Sequence, residues 1–232
     1  LRTQVSVVET TIVDHQTVLY RNGAADFDFT EEDMARVPVS DYSVMVTAGT
    51  VFAAEPSRSA VFKAFDMARN AGLPIVFDVD YRPYSWLSPE VASDVLTRAG
   101  RAADVIIGND EEFGFMAGDY NKGEALAREL AATSAKIVVY KKGPEGAVTF
   151  ADGEEIHTGV FPVTALKPTG AGDSFMGGLL AALANGADLR TAILRGSASA
   201  AIVVTRVGCS AAMPTTEELD RFIAEHPGSK QS

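Results

Sequence analysis

Cysteine, tryptophan and histidine are all scarce in this sequence, with one, one and three copies among 232 residues. A lone Cys209 excludes an internal disulfide, and such scarcity fits a reducing compartment. Lying beside Gly208 after an apolar run, it is expected to be a small buried core thiol. The histidines, His15, His157 and His226, are scattered and give no metal-ligand spacing. No long apolar run is present either, because charges or turn residues interrupt each one before it reaches membrane-spanning length. The opening LRTQVSVVET lacks the basic and apolar regions of a signal peptide. Positive charge is in deficit, with 20 Lys and Arg against 31 Asp and Glu and a formal net charge of -11. That balance argues against nucleic acid or an anionic membrane as the main partner. It does not forbid an anionic substrate, since a few local donors suffice to hold a phosphate. A soluble, cytoplasmic protein is expected.

What the sequence does have is enough apolar residues, 47% of the total, to bury one sizeable core. Residues 1–30 read as extended β material, with turns at Asp14-His15 and Asn22-Gly23. From Tyr42 the pattern alternates. A buried strand is expected at 43–49, a helix at 56–72, a strand at 74–80 and a helix from about Ser88 to Ala102. A strand at 104–108 follows, then a short helix opened by Asn109, a helix at 123–133 and a strand at 136–140. Short apolar strands separated by helices are the signature of a doubly wound, mostly parallel α/β sheet. An edge hairpin turning at Asp152-Gly153 comes next. Helices are then expected at 173–185, 188–206 and 216–225, with a frayed tail at 227–232.

The segment Lys167-Pro168-Thr169-Gly170-Ala171-Gly172-Asp173 carries the most chemistry. Small residues leading into a helix aim backbone N–H groups and the positive helix end at one point, which suits an anion. An acidic side chain beside such a nest would repel phosphate. It suits instead a base that takes a proton from an attacking hydroxyl while the nest stabilises the transferring phosphoryl group. The plainer alternative is that Asp173 only caps the helix. No Gly-Lys-Ser/Thr follows, so the loop is not a Walker A.

Thr-Gly-Ala-Gly-Asp entering a small-residue helix resembles the second signature of the ribokinase-like (PfkB) carbohydrate kinases. The resemblance implies Asp173 as catalytic base and Gly170, Ala171 and Gly172 as the anion hole. Three further segments match in order. Asn109-Asp110-Glu111-Glu112 resembles the family's Asn-x-x-Glu, which implies nucleotide contact at Asn109 and magnesium held, through water, at Glu112. Lys141-Lys142-Gly143-Pro144-Glu145-Gly146 resembles the turn that touches ATP, implying Lys141, Gly143 and Gly146. The run from Ser199 to Gly208 resembles the helix and loop that wall the adenine, with Ser197 at a nucleotide-contacting position. The same region implies a monovalent-cation site near Lys167, Thr169, Val203, Arg206 and Gly208. Residues 1–30 then correspond to residual edge or lid β structure, and 31–226 to the kinase domain. The implied cofactors are ATP and Mg2+, and the implied partners are a small sugar or sugar acid and a second copy of the chain through the lid.

Two departures from the family are visible. Its amino-terminal part, which carries sugar contacts, the first strands and much of the lid, has no counterpart here. Lys167 stands where many members have an acidic residue, so its ammonium either replaces potassium or points to solvent. The substrate expectation rests on Asp78-Val79-Asp80-Tyr81-Arg82-Pro83-Tyr84-Ser85-Trp86 at the carboxyl end of a strand, where open α/β sheets place ligands. Arg82, with Asp80 beside it, is a planar donor suited to a carboxylate or to several hydroxyls; the plainer alternative pairs it with Asp78 or Asp80. Similar segments occur in members that act on sugar acids, and the Asp80 version looks most like those using 5-dehydro-2-deoxygluconate, an intermediate of inositol catabolism. The alternatives are 2-dehydro-3-deoxygluconate, then fructose. A non-catalytic nucleotide-binding remnant is the reading from another class.

Overall fold

A computed structural model describes residues 1–9 and 17–226. The turn expected at Asp14-His15 and the tail expected at 227–232 lie outside the described residues. Strands β1 (Val5–Val8) and β2 (Thr17–Tyr20) form a two-stranded sheet. Next come a short helix α1 (Glu31–Ala35) and the alternating body: β3 (Met45–Ala48), α2 (Ser57–Asn70), β4 (Ile75–Asp78), α3 (Pro89–Ala102), β5 (Val105–Asn109), α4 (Asp110–Ala117), α5 (Gly123–Thr133) and β6 (Ile137–Lys141). The hairpin strands β7 (Ala147–Ala151) and β8 (Glu154–Thr158) precede α6 (Ala171–Ala184), α7 (Leu189–Val204) and α8 (Thr216–Glu225). The six strands β3 to β8 lie in sequential order in one sheet. Parallel pairing joins β3 to β4, β4 to β5 and β5 to β6.

By its contacts the chain divides into two compact units. One comprises Leu1–Val5, Tyr20–Lys142 and Val148–Glu155; the other comprises Ser6–Leu19, Gly143–Ala147 and Ile156–Ser232. The core of the first is built on Phe52, Phe77, Leu96, Ile106, Phe113 and Leu130, all fully buried. Every residue of β4 is buried, as a central parallel strand demands. Asp104 pins the amino ends of these strands: it accepts from Ile75 N at 2.8 Å, and its two carboxylate oxygens both accept from Arg69 Nη1, at 2.8 and 3.0 Å. In the second unit α6 lies close against α7, and the buried hydroxyls of Ser174 and Ser199 meet at 2.7 Å. Phe161, Ile202, Leu219 and Phe222 pack there as a separate cluster.

Three sequence expectations change. The strand expected to be buried at 43–49 is β3, which lies at one edge of the sheet, and Val46 is 43% exposed. Helix α1 was not expected; Thr30 and Asp33 form a capping box that specifies it. Helix α6 begins at Ala171, two residues before the expected Asp173, because Gly170 takes the cap position with φ +87°. Among the described residues no helix is long and apolar enough to cross a membrane.

Candidate active site

In the first unit, chemistry gathers at the carboxyl ends of β4, β5 and β6. Past β4 the chain turns at Asp80, whose φ of +34° is a conformation Asp tolerates better than most residues. Its Oδ1 lies 2.5 Å from Arg82 Nη2. Arg82 Nη1 donates to Tyr81 O at 3.0 Å and stands 3.9 Å from Glu112 Oε1. The Arg82 side chain is 45% exposed, and its main partner is Asp80, one of the two named by the plainer sequence alternative. Trp86 packs into the core, with the Arg58 guanidinium 6.0 Å from its ring.

At the end of β5, Asn109 caps α4. Its side chain accepts from Glu112 N at 2.8 Å, and Glu112 Oε2 accepts from Asn109 N at 2.7 Å. This reciprocal box explains why Asn and Glu occur three apart without any ligand. It uses only one oxygen of Glu112. Burial raises the Glu112 carboxyl above its ordinary range and Asp80 adds to that, while Lys141, the Asn109 amide and Arg82 oppose it. A buried carboxylate with one oxygen uncommitted to a hydrogen bond suits a cation. No group of three or more His, Cys, Asp or Glu among the described residues could hold a metal outright. Glu112 is suited to hold Mg2+ through water, since that ion keeps several waters and is commonly bound by one or two carboxylates plus phosphate.

In the second unit, the turn Gly170 to Asp173 opens α6. Gly170 supplies the left-handed cap that an L side chain rarely adopts. The amide of Ala171 donates to Pro168 O at 3.3 Å, whereas those of Gly172 and Asp173 have no acceptor among the described residues. Two first-turn amides thus remain for an anion. Asp173 is the third residue of the helix, not its cap; it is exposed, and its carboxylate has no partner among the described residues. The capping alternative for Asp173 is therefore corrected.

Lys167 is buried, and its ammonium donates to Thr169 O. The alternative of a solvent-facing lysine is thereby overturned. The amides of Leu166 and Lys167 both donate to Val204 O, at 2.8 and 3.2 Å, which ties this segment to the end of α7. Of the other residues expected near a cation, Val203 is fully buried and Gly208 is exposed with φ +93°. Arg206 is engaged elsewhere, with Glu218 at 3.0 Å and Ala212 O at 3.4 Å. Ser197, half-buried on α7, makes a long bond to Gly159 O at 3.5 Å. Gly143 and Gly146 bracket the turn after β6, joined by a 3.1 Å hydrogen bond from Gly146 N to Gly143 O.

The structure thus groups Asp80, Arg82 and Glu112 with Lys141 in one unit, and Lys167, Thr169 and the Gly170–Asp173 turn in the other. Cys209, expected in the core, is exposed, and an added Cβ on Gly170 would stand 3.7 Å from its sulfur. Nothing local in the sequence signals that proximity, because it arises from tertiary folding.

The 5-dehydro-2-deoxygluconokinase of Geobacillus kaustophilus (strain HTA426) is 37% identical over 217 residues, which cover 92% of this chain and 65% of that protein. This chain therefore spans just under two thirds of that relative's length. A fructokinase from Vibrio cholerae O395, solved with fructose, ADP and calcium ion bound, superposes with a TM-score of 0.80 at 25% identity, covering 94% of this chain and 72% of that one. The ATP-bound fructokinase of Xylella fastidiosa superposes with a TM-score of 0.86 at 23% identity, covering 97% and 74%. Residues 1–216 match the pfkB family carbohydrate kinases, and the chain belongs to that family.

Proposed function

We propose that this chain carries the catalytic and nucleotide-binding part of an ATP-dependent kinase that phosphorylates a hydroxyl of a sugar acid, with 5-dehydro-2-deoxygluconate as the substrate. The observation that carries the kinase reading is the turn at 170–173, where two amides and an exposed carboxylate stand together without partners among the described residues. Asp173 takes the proton of the attacking hydroxyl, and the Gly170–Gly172 backbone receives the charge of the transferring phosphoryl group. The family resemblance supports nucleotide contacts at Asn109 and Lys141 in the first unit and at Gly143, Gly146 and Ser197 in the second. Mg2+, when bound at Glu112, neutralises phosphate charge. Arg82 receives the substrate carboxylate as a planar fork.

Lys167 fills the monovalent-cation position with its own ammonium, so potassium is dispensable in this reading. A cytoplasmic homodimer completes the proposal: Val5, Val7, Val18 and Tyr20 on β1 and β2 are all about half exposed, an apolar surface that a second copy would cover.

One observation favours a second reading. Arg82 is already paired with Asp80 at 2.5 Å, which a neutral sugar such as fructose would leave undisturbed. Comparing kcat/KM for 5-dehydro-2-deoxygluconate, 2-dehydro-3-deoxygluconate and fructose in the unmodified protein and Arg82→Leu separates them. A lost charged hydrogen bond is worth about 1.5–3 kcal/mol. The sugar acid should therefore lose roughly ten- to a hundred-fold in Arg82→Leu while fructose changes little. Preference for fructose, or an equal loss for every substrate, contradicts the sugar-acid assignment and leaves the kinase reading intact.

A further inference from the structure

Arg82 faces two carboxylates of its own unit, Asp80 at 2.5 Å through Nη2 and Glu112 at 3.9 Å through Nη1. The two contacts are unequal. The short one, together with the Nη1 bond to Tyr81 O, holds the guanidinium on the Asp80 side. The long one points at the Glu112 oxygen that the α4 cap leaves uncommitted. A cation approaching that oxygen meets the positive charge of Arg82 as well as that of Lys141. Whatever draws Arg82 away from Glu112, or neutralises it, favours the cation.

We propose that Asp80 is a positioning residue that restrains Arg82, and that through Arg82 it sets the affinity of Glu112 for a divalent cation. The proposal rests on the reading of Glu112 as a metal contact. Asp80 acts here by holding a charge back, without itself touching the metal. The same arrangement gives a ligand carboxylate a second effect: on engaging the Arg82 fork it would neutralise the guanidinium and strengthen cation binding at Glu112. By linkage, the cation would strengthen binding of that carboxylate to the same degree. A neutral sugar would lack this coupling, so the arrangement ties acid recognition to metal loading.

The test is a double-mutant cycle read by Mn2+ binding, with free Mn2+ followed by electron paramagnetic resonance and no substrate or nucleotide present. Asn is compatible with the positive φ of Asp80, so Asp80→Asn is expected to fold, and circular dichroism checks each variant. Arg82→Gln should tighten Mn2+ roughly three- to ten-fold, the scale of a partly screened charge pair. Asp80→Asn should weaken Mn2+ in the Arg82 background by a similar factor, because the freed guanidinium moves onto Glu112. In the Arg82→Gln background the same Asp80→Asn change should weaken Mn2+ clearly less, leaving only the direct attraction of the Asp80 charge felt at Glu112. Equal weakening in both backgrounds would show that Asp80 acts on the metal directly and would overturn the proposal, as would a failure of Arg82→Gln to tighten binding. Glu112→Gln separates the two layers: Mn2+ binding indifferent to that change refutes the metal contact itself, whereas a loss in Glu112→Gln with an additive cycle refutes only the restraint.

Discussion

Lys167 shows how much a single buried charge constrains this chain. Only 4% of it is exposed, and its ammonium donates to Thr169 O, one residue before the Gly170 cap. An ammonium has three donors and needs acceptors when taken out of water, so the lysine is a structural tether of the segment that leads into the Gly170 turn. Lys167→Met should lower stability by about 1.5–3 kcal/mol, the cost of a lost charge-assisted hydrogen bond, measured by urea unfolding. If the ammonium does the work of a monovalent cation, initial rates of the unmodified protein should be flat against added KCl, and Lys167→Asp should acquire a potassium requirement. Strong activation of the unmodified protein by potassium would contradict this. At this scale the sequence was legible in residue identity but not in partnership. It offered Asp78 and Asp80 equally as partners for Arg82, and only the turn at Asp80, with its positive φ, makes the choice. It left Lys167 open between a cation site and solvent because burial is decided by elements far away in sequence.

Elements with punctuation at their ends were the most readable. Ser88, Asn109 and Asp188 each cap the helix that follows with a side-chain hydrogen bond. The hairpin between β7 and β8 turns at Asp152 and Gly153, both with positive φ, as its sequence signal requires. The turn after β6 shows why glycine recurs there, and gives a contrast to measure. Gly146 has φ +92°, and an added Cβ would fall 2.0 Å from Thr158 O. Gly143 has φ +55° with nothing within 4 Å of its added Cβ. Gly143→Ala should therefore cost about 1 kcal/mol, from the left-handed backbone alone. Gly146→Ala should cost well over that, about 3 kcal/mol or more, because strain and a backbone clash combine. Equal losses in thermal melts of the two variants would contradict the geometry. The start of α6 was misread by two residues for a related reason: a glycine cap offers no side-chain signal, so the first polar residue, Asp173, looked like the boundary.

For the whole molecule, alternation of apolar strands with helices was enough to specify a mostly parallel sheet, and the six-stranded order from β3 to β8 agrees. Periodicity says nothing about which strand is outermost. The apolar run 43–49 looks like an interior strand, yet Val44 and Val46 are partly exposed and an apolar groove lined by Met34, Tyr42, Val44 and Leu73 runs beside them. The division into two units was equally illegible, because it cuts through the last hairpin rather than falling at a linker. The family was legible because its signatures are short backbone devices that can be read locally. The account depends most on one of them, the carboxylate at position 173. That side chain is exposed and caps nothing, so Asp173→Asn should leave the thermal melt unchanged. Removing a general base costs on the order of 10²-fold or more in turnover. The decisive measurement is kcat for ATP-dependent phosphorylation by Asp173→Asn beside the unmodified protein. A fall of that size at unchanged stability is the predicted result, and a near-normal kcat would contradict the assignment.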